Sequence, residues 1–298
     1  MNRVKKGRHL NMDALVLESS VIKIRILPQL GFKMASIEYK PKSKELLFQP
    51  SRGQYELPIY GGDFSKYDTS GLDEMMPTID RCLYPQGDFK GTVLPDHGDV
   101  WSLAWDTEPL KDKVIGRVKL KSLPIEFTKT ISFSDESTIR MDYRVKNLSD
   151  KELYYIWALH GLSVFDDDTE FIFTQEMKDP FNVMSDEDLS KRDLKPLKSY
   201  PDKSQYKYYF SVESNKGEVG LDYTMDRIRY LIQYDPLVHP YLGVWITKGG
   251  FKGEYNCALE PSNGFYDSLA LAYENKKIPL LKARGEDQWT IFIQIKEY

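Results

Sequence analysis

Glu260 is the one charge in the run Tyr255-Asn-Cys-Ala-Leu-Glu-Pro-Ser-Asn-Gly. Pro261 has no N–H to give a strand ladder and Ser-Asn-Gly favours a turn, so a strand is expected to stop just beyond Glu260 and leave its carboxylate at a sheet rim. Two histidines stand in comparable settings. His97 follows Leu-Pro-Asp and precedes Gly98, while His160 ends Tyr-Ile-Trp-Ala-Leu-His and precedes Gly161. Taken singly, each histidine suits a satisfied core or rim position. Together with a carboxylate across a cleft they make a general acid and a general base, with Glu260 as proton acceptor and His160 and His97 serving it.

The other polar groups are read around that trio. Arg81 offers a planar fork and Asp80 an acceptor for neighbouring hydroxyls. Flat aromatic side chains beside such groups suit a sugar ring, whose axial C–H face is apolar and whose rim is hydroxyl, so Trp101 and Trp245 are expected to line a pocket. His9, in a basic N-terminal tail, and His239, in the loop Tyr-Asp-Pro-Leu-Val-His-Pro, are taken as idle, the latter exposed. No His-x-His or His-x-x-x-His spacing occurs, and Asp166-Asp167-Asp168 lacks the glycine and distant glutamate of a calcium loop, so no metal site is expected.

Strands must position these groups. Ile22, Ile24 and Ile26 alternate with Lys23 and Arg25; further short strands are expected over Phe32 to Tyr39 and Glu45 to Phe48. Residues 49 to 96 are broken by proline and glycine yet rich in aromatics, which marks a long ordered loop with a functional role. A strand Val100 to Trp105 follows. Ile125, Phe127, Ile131 and Phe133 then face Ile139, Met141, Tyr143 and Val145 in a long hairpin whose apolar row only Lys129 interrupts. Leu153 to Leu159 lead to His160, and 175 to 204 read as a polar surface segment with at most one short helix. Further strands are expected over Tyr206 to Val212, Val219 to Tyr223, Ile228 to Gln233, Tyr241 to Thr247, Tyr255 to Glu260 and Trp289 to Ile295. The fold class is all-β, a large antiparallel β-sandwich forming a single domain over 1–298.

The totals agree. The chain has 298 residues, 41% hydrophobic and 13% aromatic, with 20 Tyr and 14 Phe suited to half-buried pleated surfaces. A net charge of −4 gives no basic field for a phosphate backbone or an anionic membrane, so neither nucleic acid nor membrane is an expected partner. Cys82 and Cys257 are far apart and read as free thiols; with no signal peptide and no long apolar run, a cytoplasmic location is expected.

In order and spacing the chain resembles the aldose 1-epimerase, or galactose mutarotase-like, family. The matching pieces are Gly31 to Tyr39, Leu94-Pro-Asp-His-Gly with Trp105, Phe127-Thr-Lys-Thr-Ile with Met141-Asp-Tyr-Arg-Val-Lys-Asn, Trp157-Ala-Leu-His160, and Ala258-Leu-Glu-Pro-Ser-Asn-Gly with Gly285-Glu. The resemblance implies a large antiparallel sandwich that binds a monosaccharide, as monomer or homodimer, without a cofactor. It implies that Glu260 takes the proton of the anomeric hydroxyl, that His160 protonates the ring oxygen and that His97 bonds the same region. Asp235 stands as the candidate for the family's sugar-binding aspartate. After His97 the chain reads Gly-Asp-Val-Trp, without the arginine that hexose-6-phosphate 1-epimerase relatives carry there. A non-catalytic carbohydrate-binding or sensing protein and a hexose-6-phosphate epimerase are the alternative expectations.

Overall fold

The computed structural model describes residues 3–173, 177, 179–211 and 216–298. Val212, the expected end of one strand, and residues 175, 176 and 178 of the polar segment lie outside the described residues. Among the described residues the strands form two large antiparallel sheets, of eleven and eight strands. The larger runs Arg3–His9, Met12–Glu18, Ile22–Leu27, Lys33–Tyr39, Leu72–Met75, Ala158–Gly161, Tyr255–Ser262, Tyr241–Lys248, Ser204–Ser211 and Phe181–Asn182, with Lys44–Glu45 paired to Lys33–Tyr39. The smaller runs Thr169–Ile172, Gly217–Tyr223, Ile228–Tyr234, Glu286–Glu297, Thr138–Asn147, Ile125–Asp135, Lys113–Lys119 and Asp106–Pro109. No helix among the described residues is long and apolar enough to cross a membrane.

Alternation along each strand sends one set of side chains between the sheets and the other outward. Leu15, Ile24, Leu72, Leu159, Val244 and Leu259 from the larger sheet join Phe127, Met141, Tyr143, Ile291 and Trp289 from the smaller one in a shared apolar core. Trp157 sits where the sheets meet, its ring 5.0 Å from Tyr143 and 5.1 Å from Trp289. Lys129, the interruption in the apolar row of its hairpin, is sealed in this core and meets Glu74 of the larger sheet at 2.5 Å.

The long hairpin Ile125–Asp135 with Thr138–Asn147 forms as its alternation requires. Several local expectations are corrected. The N-terminal segment is not a tail, since Arg3–His9 pairs along its length with Met12–Glu18. Val100–Ser102 is a 3-10 turn rather than the start of a strand, because Trp101 and Trp105 both turn inward and donate their indole N–H groups to Asp96 O and Val100 O. Of the expected Glu45 to Phe48 strand only Glu45 is strand, in the two-residue Lys44–Glu45. The run to His160 divides into Leu153–Tyr154 and Ala158–Gly161, which join different sheets. Pro261 does not end its strand: pairing continues through Leu242 opposite Pro261 and Tyr241 opposite Ser262.

Candidate functional site

The outward face of the larger sheet carries the site. Glu74 points inward to Lys129, so its neighbour Asp73 points outward, and Asp73 is paired with His160. The strand of His160 is bridged to that of Glu260 at Ala158–Ser262 and again at Ser163–Cys257, with no pairing in the interval between. The register shared by both bridges sets His160 opposite Glu260. On the far side of Glu260 stands Gly243, and beyond that Tyr209. One lateral row therefore holds Asp73, His160, Glu260, Gly243 and Tyr209, and Lys33 closes it with an ion pair to Asp73 at 3.0 Å.

Glu260 is 1% exposed. Lys207, from the strand Ser204–Ser211, donates to its Oε2, while Oε1 has no hydrogen-bond partner. Gly243 makes this contact possible, because a Cβ at that position would lie 2.9 Å from Oε2 and 3.1 Å from the Tyr209 ring. Tyr209 in turn donates its hydroxyl to Asp267. His160 is buried, and its Nδ1 has no partner. Burial, and then the neighbouring His97, Lys207 and Lys33, hold its imidazole well below the ordinary histidine value, which favours the neutral ring.

His97 comes from a turn pinned at both ends. Its φ is +56° and that of Gly98 is +72°, and a Cβ on Gly98 would sit 2.0 Å from the Met76 carbonyl, so only glycine fits. His97 N donates to Ile79 O at 2.6 Å and Asp99 N to Met76 O at 2.7 Å. The buried Asp99 carboxylate accepts from Lys121 N, Ser122 N and Ser122 Oγ, which ties the turn to the loop behind it. Asp96 completes the arrangement: Oδ1 lies 2.9 Å from His97 Nδ1 and Oδ2 accepts from Phe64 N at 2.8 Å. Burial alone would raise this carboxyl, but the His97 ring and the backbone N–H bonds pull it below the usual carboxylate range. An ionised Asp96 requires Nδ1 to carry a proton and donate it, which fixes the orientation of the His97 ring. Phe64 stacks on His97 at 4.0 Å and presents its edge to His160 at 5.3 Å, and the two histidine rings are 5.2 Å apart.

Glu260, His160, His97, Lys207, Asp96 and Phe64 line one cavity of about 420 Å³, together with Asp80, Trp245, Phe251, Glu254, Asn256 and Asp267. That volume falls within the ~300–1,000 Å³ of small-molecule sites. Glu254 accepts from Thr69 and Ser51, and Asn256 accepts from the Trp245 indole at 3.2 Å. Asp80 is exposed at the edge of the cavity, and the partial loss of water on its protein side, followed by the charge of Asp267, raises its carboxyl above its ordinary value.

Five of the eight residues singled out in the sequence thus line the cavity: Glu260, His160, His97, Asp80 and Trp245. Three do not. Arg81 follows Asp80 but is exposed and turned outside the cavity lining. Trp101 is 2% exposed and packs beneath, its ring edge-on to Phe64 at 5.0 Å. Asp235 lies on the smaller sheet's side of the molecule, beside Tyr234, Gln288 and Trp289, where its carboxylate accepts from Leu237 N. His239, expected to be exposed, is fully buried between Trp157 and Trp289 with both ring nitrogens unpartnered. Sequence reasoning missed Lys207, Asp96, Glu254, Asn256 and Asp267. Lys207 had a visible signal, a lone cation between tyrosines in Gln-Tyr-Lys-Tyr-Tyr-Phe.

No protein-family model matches the chain, and no curated protein matches it. Solved structures do. A galactose mutarotase related enzyme from Lactobacillus acidophilus is 16% identical, with a TM-score of 0.71 over 95% of this chain and 97% of its own. A galactose mutarotase-like protein from Clostridium acetobutylicum is 15% identical, with a TM-score of 0.71 over 99% and 98%. Another from Lactobacillus casei is 15% identical, with a TM-score of 0.69 over 95% and 100%. The chain therefore has the galactose mutarotase-like fold.

Proposed function

We propose that the protein is an aldose 1-epimerase that interconverts the α and β anomers of a free, unphosphorylated aldose. The observation that carries this is the meeting, in one cavity, of a buried carboxylate with a free oxygen, Glu260 Oε1, and two imidazoles, one directly across from it. Glu260 takes the proton of the anomeric hydroxyl while His160 gives one to the ring oxygen, and the C1–O5 bond breaks. The environment keeps the free imidazole neutral, so His160 takes up a proton from solvent as the sugar binds; once charged there it is a strong acid, ready to give that proton to the ring oxygen. His97, held by Asp96, orients the same region of the sugar. Rotation about C1–C2 and the reverse proton transfers close the ring as the other anomer, with no net change in either group.

The half-buried Trp245 supplies an apolar face for the ring, and Glu254, Asn256 and Asp80 supply polar groups for its hydroxyls. The lining carries five carboxylates (Asp80, Asp96, Glu254, Glu260 and Asp267) against one lysine, Lys207. That field repels a phosphate or carboxylate on the sugar, which favours a free aldose over a hexose 6-phosphate. Saturation-transfer or exchange NMR on a panel of free aldoses tests the proposal: acceleration of anomer exchange above the buffer rate supports it. Calorimetry that shows saccharide binding with no acceleration for any sugar would favour a binding protein instead.

A further inference from the structure

The base of the proposed reaction has one side-chain partner, and it comes from two strands away. Glu260 pairs in the ladder with Gly243, whereas Lys207 pairs with Trp245 on that same middle strand. The two charged residues are separated by two strand spacings, about 9–10 Å at the backbone. They meet because the position between them has no side chain. The Lys207 ammonium is held over this gap, 5.5 Å from the Tyr209 ring centroid, and Tyr209 is itself anchored on Asp267. The ion pair is nearly closed to water, with the Lys207 side chain 13% and the Glu260 side chain 1% exposed.

A carboxylate bound at one oxygen has its plane fixed, so the direction of the other oxygen is fixed too. From this geometry we infer that Lys207 is a positioning residue: it holds Glu260 by Oε2 so that Oε1 stays free toward the aldose, and Gly243 is the space that lets it do so. The inference rests on the epimerase reading given above. It assigns to Lys207 a role exerted through Glu260 and not through a contact with the sugar.

The role separates cleanly from sugar binding in a kinetic comparison. Exchange rates are measured for the wild type, Lys207→Met, Lys207→Arg, Gly243→Ala, Glu260→Gln and the double variant Lys207→Met with Glu260→Gln, each checked for folding by its thermal transition. Loss of orientation at the reacting atoms costs about tenfold to a hundredfold. Lys207→Met should lower kcat by that factor with KM held within about twofold, and Lys207→Arg should recover most of it. Gly243→Ala keeps both charged groups and should lose kcat comparably. Adding Lys207→Met to Glu260→Gln should cost nothing further, because the group acted upon has already gone. A Lys207→Met variant with wild-type kcat overturns the inference while the epimerase reading stands. So does one that raises KM alone, or one whose loss adds to that of Glu260→Gln. Absence of exchange in the wild type overturns the reading itself and the inference with it.

Discussion

Glu74 and Lys129 meet at 2.5 Å between the two sheets, with neither side chain reaching solvent. Tyr143 donates its hydroxyl to the same Glu74 oxygen at 2.9 Å. Taking one partner from such a pair strands the other charge in the core, whereas taking both leaves an apolar interior. Lys129→Met is expected to cost about 3–5 kcal/mol of stability, and Lys129→Met combined with Glu74→Leu to regain most of that. Urea unfolding followed by tryptophan fluorescence measures both. A double variant no more stable than the single one would show that the pair is not the source of the loss.

Asp96 fixes which nitrogen of His97 carries the proton. Asp96→Asn can present an amide N–H to Nδ1 and so favours the wrong tautomer, while also weakening the bond from Phe64 N. The variant is expected to lose about tenfold to a hundredfold in kcat/KM for anomer exchange with its fold intact. Wild-type exchange in Asp96→Asn would remove His97 orientation from the mechanism.

His239 gives a pH dependence whose sign can be worked out. Burial lowers its imidazole from the ordinary 6.5 to about 3. Between those values the unfolded chain binds a proton that the folded chain refuses, so stability falls as the pH drops below 6.5 and the loss reaches about 2 kcal/mol by pH 5. Other buried groups also titrate in this range, among them Asp73, raised to about 7 by burial and by Asp68 against the opposing pull of Lys33. The informative quantity is therefore the difference between wild type and His239→Phe. From pH 7.5 to pH 5 the wild type should lose about 2 kcal/mol more than the variant. Parallel stability curves would show that His239 is protonated or hydrated in the folded protein.

Charge at the cavity sets a limit on the substrate. Glucose 6-phosphate and glucuronate are expected to be exchanged at least about tenfold less efficiently, in kcat/KM, than the best neutral aldose. Competition measured by NMR at fixed ionic strength would expose the opposite order, which would point to a phosphate-binding group outside the five carboxylates facing this space.

The architecture was legible because alternation is a local property. The rows Ile125 to Phe133 and Ile139 to Val145 state their own pairing, and their hairpin forms in that register. What the sequence conceals is the partner. Lys129 stands out as a break in an apolar row, but nothing nearby in the chain announces Glu74 as its counter-ion. His239 reads as a loop residue because its neighbours are Pro236 and Pro240, yet the rings of Trp157 and Trp289 close over it from distant segments. Pro261 reads as a strand end, but a strand can carry a proline where no ladder partner needs its N–H, and pairing resumes at Ser262. Glu260, His160 and His97 were recognisable from their settings at strand ends and glycines. Lys207 shows in the sequence only as a lone cation among tyrosines; its place beside Glu260 does not, since that depends on the strand order Tyr255–Ser262, Tyr241–Lys248, Ser204–Ser211 and on a glycine in the middle strand.

Anomer exchange of the preferred aldose by wild type and Glu260→Gln, compared in one NMR experiment, is the most direct measurement. The variant keeps the size of the side chain and removes its proton-accepting charge, so exchange is expected to fall by about a hundredfold or more while the thermal transition stays within a few degrees. Equal exchange in the two proteins would contradict Glu260 as the base, and with it the mechanism built on the cavity.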